Sequence, residues 1–218
     1  MLLWEIGRVK ENIPFLFNMI NNLHLDIQIR IHYHVSYPIT SARDAGFIMD
    51  KMNIRVLKSE SDISQRIQKL AEEIKGSIVT DALTVVGVFD DAFMFLADLI
   101  RALNLPLQCL FMKITCEEHD DKIEVIFTSE FNPRGLDILL VAAIADTGIT
   151  LDYAARTLSE QGAQSVRTCV LLDKPGKRRI DIKPDYIAFE TSEQHVFGYG
   201  LGLQNQFRQL PYLAIIDH

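Results

Sequence analysis

Cysteine is scarce. The three in the chain, Cys109, Cys116 and Cys169, include no Cys-x-x-Cys pair, which excludes a disulfide scaffold and the usual zinc-ribbon spacing. Cys109 and Cys169 lie inside apolar, strand-like runs and are expected to be reduced core thiols. Basic charge is also short: 22 Lys and Arg stand against 29 Asp and Glu, for a formal net charge of −7. No global field then draws in nucleic acid or an anionic membrane, so neither is an expected partner. No apolar run reaches the roughly 20 residues that span a bilayer. The opening Met1-Leu2-Leu3-Trp4-Glu5 acquires charge too early for a secretory signal. There is no internal repeat and no low-complexity linker. These absences lead to an expectation of a soluble cytoplasmic protein. Apolar residues are plentiful at 48%, and 218 residues suffice for one domain with a real core plus an extension.

From about Leu57 the pattern alternates between helix and strand. Ile63, Ile67, Leu70 and Ile74 form a helical stripe, introduced by Ser59 with Asp62 three residues on, the spacing of a capping box. Leu83 to Phe89 reads as a buried strand. Phe93, Leu96, Leu99, Ile100 and Leu103 make a second helical face, stopped by Asn104-Leu105-Pro106. Leu107 to Ile114 and Lys122 to Thr128 read as strands, and Val166 to Leu172, Asp185 to Phe189 and Tyr212 to Ile216 follow later. Such alternation predicts an α/β fold, a mainly parallel sheet with helices on both faces. It assigns residues 53–218 to that domain and leaves 1–52 as an N-terminal extension of no assigned role. Within the extension, Ile13 to Leu25 has the apolar content of a helix. Ile29 to Tyr37 alternates as a strand that puts His32 and His34 together on its polar face. Two histidines at i, i+2 can share a metal, yet a site takes three or four ligands and no third is near, so a solvated face is expected.

The most specific stretch runs from Leu139 to Thr150, LLVAAIADTGIT. An apolar run of strand length ends in Asp-Thr-Gly-x-Thr, and a helical pattern begins at once with Leu151, Ala154, Ala155 and Leu158 on one face. Strand, small polar turn and helix hold a phosphate well: the free N–H groups of the turn and the helix dipole face the anion, and threonine hydroxyls add donors.

Three segments in order resemble purine phosphoribosyltransferases of the hypoxanthine/guanine salvage type. Val86 to Leu99, VGVFDDAFMFLADL, resembles that family's strand, pyrophosphate loop and helix. Asp146 to Thr150 resembles its phosphate loop. Leu171 to Pro175, Lys183 to Glu190 and Val196 to Leu201 resemble its purine-binding end. The likeness covers about Leu57 to Asp217, and it implies a type I phosphoribosyltransferase-like parallel sheet flanked by helices, with a small hood. By the same resemblance, Asp146 matches the general base near purine N7. Thr147, Gly148, Ile149 and Thr150 match the 5′-phosphate cradle. Lys174 matches the lysine that selects a 6-oxopurine, Val196 the residue whose main chain reads the base edge, and His195 the position of a stacked aromatic. Arg208 matches an arginine near the pyrophosphate.

The departures are as informative. Ala142 and Ala143 stand where the family has an acidic pair that holds the ribose hydroxyls and orders magnesium. Asp90-Asp91-Ala92 stands where it has a Lys-Gly-Gly type loop, and Gly202 where it has an aspartate near a second metal. After the strand ending near Ile114, where the family carries Ser-Tyr, the chain reads Thr115 to Asp121, TCEEHDD. Losing the charged hydrogen bonds of the acidic pair removes about 3–5 kcal/mol, on the order of 10²–10⁴ in rate if those contacts strengthen in the transition state. The resemblance therefore implies binding of a 6-oxopurine nucleotide (IMP or GMP) or of phosphoribosyl pyrophosphate, with weak or altered catalysis. No metal ligands are assigned in the chain, and magnesium is needed only if the protein turns over, carried by its substrate. A homo-oligomer is expected. The alternative is a non-catalytic nucleotide-binding or regulatory protein on the same fold.

Plainer roles stay open at each position. Asp146 can be a helix N-cap, Lys174 a solvated lysine at a strand end, and His195 a half-buried polar residue. Asp90-Asp91 can be a solvated turn, and Glu117 to Asp121 a solvated acidic loop.

Overall fold

The computed structural model describes residues 53–78, 83–117, 122–128, 130–203 and 206–217. The extension at 1–52, with its expected helix, strand and histidine pair, lies outside the described residues.

Strands β1 (Ile54–Lys58), β2 (Leu83–Phe89), β3 (Leu107–Glu117), β4 (Lys122–Phe127), β5 (Asp137–Ala145), β6 (Ser165–Asp173), β7 (Tyr186–Glu190) and β8 (Leu213–Ile216) alternate with helices α1 (Glu60–Ser77), α2 (Phe93–Leu103) and α3 (Ile149–Glu160). Six strands form one sheet in the order β4-β3-β2-β5-β6-β7. All its pairings are parallel except β3 with β4. β1 and β8 form a separate antiparallel pair that belongs to the hood.

The helices begin and end where local chemistry dictates. Ser59 accepts the Asp62 N–H while the Asp62 carboxylate accepts the Ser59 N–H at 3.0 Å, so the capping box forms. Asn104 ends α2 in the left-handed region at φ 47°, a conformation asparagine tolerates better than most residues. The continuous apolar runs of the central strands follow from burial on both faces. Val85, Leu139 and Leu171 face α1 and α2 through Ile67, Leu70, Phe95 and Leu99. Their neighbours Val86, Leu140 and Val170 face α3 through Leu151, Ala154 and Leu158. Cys169 is fully buried, and burial pushes its thiol pKa far up.

Two features differ from expectation. β3 extends to Glu117 because it pairs with β4 from Met112↔Phe127 to Glu117↔Lys122, so a hairpin stands where a loop was expected after Ile114. β1 also went unread, because its partner β8 lies more than 150 residues further along the chain and no local pattern announces such a pairing.

β2 and β5 are neighbours, yet the chain leaves them in opposite directions across the sheet, to β3 and to β6. Ligands of open α/β sheets bind at such a switch, in the crevice beyond the carboxyl ends of the strands.

Candidate functional site

Only Asp146, Thr147 and Gly148 separate β5 from α3. Gly148 is the helix N-cap, at φ 85°. A Cβ there would stand 2.5 Å from Ile182 Cγ2, so both backbone conformation and packing require glycine. Asp146 is therefore not the N-cap. Its Oδ1 instead accepts the Thr147 N–H at 2.6 Å, and the Thr147 hydroxyl accepts the Ile149 N–H at 3.4 Å. The first amides of α3 have no intrahelical partner and carry the positive end of the helix dipole. Gly148 is buried, Thr147 and Ile149 are half-buried, and Thr150 is exposed.

Arg178 ties this turn to the next segment of chain. Its Nη1 donates to the carbonyls of Ala145 and Asp146, each at 2.7 Å, and its Nε to that of Ile182 at 2.9 Å. Nη2 is paired with the Asp173 carboxylate, and both side chains are buried or nearly so. The Arg179 N–H donates to the Thr147 carbonyl at 3.0 Å. Sequence reading missed Arg178. The available signal was the basic triplet Lys177-Arg178-Arg179 just past a strand end, three cations where a solvated turn needs none.

Lys174 follows β6 and is only 5% exposed, which removes the solvated-lysine alternative. Its N–H donates to the Ala145 carbonyl at 2.9 Å, and its Nζ donates to the Gln194 carbonyl at 3.0 Å. Burial pushes the ammonium pKa down, Lys177 lowers it further, and Asp146 opposes both. Lys174 lines a cleft of about 570 Å³ together with Pro175, Lys177 and Glu190 to Ser192. Val196 is buried and His195 exposed beside it. The next residue, Phe197, exchanges main-chain bonds of 2.9 Å with Ala214 of β8, which anchors the segment.

At the end of β2 the chain turns through Asp90 to Ala92 into α2. Asp90 is exposed. Asp91 is paired with Arg208, whose Nη1 also donates to the Gly200 carbonyl at 2.7 Å. The hood is further fastened to α2 by the Tyr199 hydroxyl, which donates to Asp98. A second cleft, of about 150 Å³, is lined by Asp90, Asp91, Ala142, Ala143, Thr150 and their neighbours. The structure thus brings the 90–92 turn, the alanine pair and the 147–150 turn together. Lys174 lines the other cleft, and His195 and Val196 directly follow Gln194, whose carbonyl holds the Lys174 ammonium.

The residues present do not fit a tightly held magnesium. Ala142, Ala143 and Gly202 offer no side-chain oxygen, and the Asp91 carboxylate is taken by a guanidinium. Among the described residues, no three His, Cys, Asp or Glu side chains are placed to share a metal ion.

A mostly parallel sheet with a strand–turn–helix at its switch point places the chain in the α/β class, whose members commonly hold phosphates and nucleotides at such a turn. Comparison narrows this. The phosphoribosyl transferase domain family matches residues 56–206. The chain is 31% identical over 166 residues to the hypoxanthine-guanine phosphoribosyltransferase of Bacillus subtilis, a span that covers 74% of this chain and 92% of that protein. It is 33% identical over 175 residues to the hypoxanthine phosphoribosyltransferase of Haemophilus influenzae, covering 76% and 97%. A crystal structure of a hypoxanthine-guanine phosphoribosyltransferase from Bacillus anthracis superposes with a TM-score of 0.69 at 26% identity, over 76% of this chain and all of the other. The chain belongs to the phosphoribosyltransferase family, in its purine-salvage (hypoxanthine/guanine) branch. No helix among the described residues is long and apolar enough to cross a membrane.

Proposed function

We propose that this protein binds a 6-oxopurine nucleotide, IMP or GMP, and that its transferase chemistry is weak or altered. The observation that carries the reading is Lys174, a buried lysine whose Nζ is held on the Gln194 carbonyl beside the larger cleft. A desolvated ammonium selects an acceptor, which the exocyclic oxygen of hypoxanthine or guanine supplies and the amino group of adenine does not. The amides of Gly148 to Thr150 and the Thr150 hydroxyl would take the 5′-phosphate. Val196 would meet the base edge through its main chain and His195 would stack on the ring. Asp146, its carboxylate set by the Thr147 amide, would face N7 and accept or return its proton.

What argues for weak chemistry is the alanine pair. Ala142 and Ala143 line the smaller cleft with methyl groups, so the ribose hydroxyls and a metal would find no carboxylate at the end of β5. Any turnover would depend on magnesium carried by phosphoribosyl pyrophosphate, the cofactor associated with this chemistry. The competing reading is a working salvage transferase, favoured by the names of the relatives and by the retained Asp146 and Lys174. Cytoplasmic residence and a homo-oligomer go with either reading. The exposed rings of Phe89 and Phe93, 45% and 39% accessible, favour self-association.

One pair of measurements tests the proposal. Calorimetry with IMP, GMP, AMP and inosine, with and without magnesium, should give binding of the first two above the others. An assay of IMP formation from hypoxanthine and phosphoribosyl pyrophosphate should give little or no turnover. Fast turnover would hand the function to the salvage reading, and absence of IMP binding would sink both.

A further inference from the structure

We propose that the Asp91–Arg208 ion pair sets the class of ligand this cleft accepts, admitting phosphomonoesters and rejecting ligands that carry a pyrophosphate. The inference rests on the reading above, in which a nucleotide 5′-phosphate occupies the 147–150 turn. The smaller cleft has two sides: Thr150 and Leu151 on one, Asp90, Asp91 and Ala92 on the other. A monoester phosphate seated on the helix start engages the first side alone. A ligand with a second phosphorylated arm has to place it against the second.

That second side is built to repel it. Asp90 is exposed and Asp91 half-exposed. The neighbouring cation, Arg208, is directed to the Asp91 carboxylate and the Gly200 carbonyl. Two glycines make this arrangement possible. At Gly202 a Cβ would stand 2.9 Å from Arg208 Cζ, so the guanidinium lies in space a side chain would need. At Gly200, φ is 93° and a Cβ would stand 2.7 Å from the Asp91 carbonyl, so only glycine lets the hood run this close to the 90–92 turn. An incoming pyrophosphate must either displace Asp91 from Arg208 or lie beside two carboxylates, and like charge at such a site discriminates against a ligand.

The test is titration of inorganic pyrophosphate and of phosphoribosyl pyrophosphate, with and without magnesium. The proteins are the wild type, Asp91→Asn, Asp90→Asn and the double variant Asp91→Asn/Arg208→Gln. Releasing Arg208 should let it bond the anion. Asp91→Asn is therefore expected to tighten pyrophosphate about 10-fold or more, and the double variant should lose that gain. Asp90→Asn removes one charge without touching the pair and should gain about 2–3-fold. Equal gains for the two single variants, no gain for Asp91→Asn, or a gain that survives in the double variant would overturn the proposal. Thermal melts confirm folding, and Asp91→Ser replaces any Asp91→Asn protein that fails to fold. IMP titrated into the wild type separates the two ideas. Failure there sinks the nucleotide reading, whereas the ranking of pyrophosphate affinities judges the ion pair.

Discussion

Arg178 holds Asp146 by its main chain: Nη1 donates to the Asp146 carbonyl at 2.7 Å while the same guanidinium is paired with buried Asp173. The residue proposed as general base is thus held through its main chain by a cation 32 places further on. The Asp146 side chain is left to the Thr147 amide.

From this follows a split between ligands. Arg178→Gln should weaken IMP about 10-fold or more while changing inosine less than about 3-fold, because on the proposed reading several amides of the turn it braces carry the phosphate, whereas the nucleoside would meet this turn through the Asp146 side chain alone. Leaving Asp173 buried without its partner should cost about 3–5 kcal/mol of stability, and Asp173→Asn added alongside should recover part of that. Calorimetry with both ligands and urea denaturation give the two readouts. Equal losses for IMP and inosine would mean that Arg178 is only structural.

Lys174 predicts a pH dependence. Its folded-state pKa lies below the ordinary 10.5, chiefly through burial, and only the ammonium donates to a 6-oxo group with full strength. IMP affinity should fall as pH rises through that lowered pKa, beginning before pH 10.5. Stability carries the opposite sign. The unfolded chain holds this proton more readily, so the lysine costs stability at neutral pH and the cost fades as pH climbs toward 10.5. Lys174→Met should abolish the pH dependence and weaken IMP by about 10–100-fold, leaving AMP nearly unchanged.

Gly148→Ala should damage fold and site together. The left-handed backbone costs about 1–3 kcal/mol for a residue with a side chain, and the new methyl meets Ile182. We expect a lower urea midpoint and loss of phosphate-dependent binding. An alanine variant with unchanged midpoint and IMP affinity would show that the turn relaxes freely.

Restoring the acids at the end of β5 tests the chemistry. Ala142→Glu with Ala143→Asp should raise IMP formation and make it depend on magnesium, by less than the ~10⁴ ceiling set by about 3–5 kcal/mol of lost contacts. Both alanines are under 10% exposed, so the new carboxylates should also lower stability. Vigorous turnover by the wild type would show that the acids are dispensable here.

Much of this was legible along the chain because the signals are local. Ser59 and Asp62 are three residues apart, Leu83 to Phe89 is a short run that is apolar apart from Thr84 and Gly87, and strand, turn and helix follow one another between Leu139 and Leu158. The motif pattern was legible too. The resemblance carried by Val86 to Leu99, Asp146 to Thr150 and Leu171 to Leu201 led to the family that the comparisons support.

Other features depended on residues distant in sequence. That β1 pairs with β8, that Arg178 reaches back to Ala145 and Asp146, and that Lys174 is buried on Gln194 are not written in any window. Asp90-Asp91 read as a block of negative charge, but folding gave Asp91 a guanidinium 117 residues away.

The sequence by itself determined the class of fold, the place of the strand–turn–helix at Asp146 to Thr150 and the alanines at 142 and 143, because periodicity, turn chemistry and residue identity act over a few residues. Tertiary structure alone decided which charges are paired, which lysine is desolvated and which glycines make room. Those properties depend on distance and burial, and only a packed chain has them.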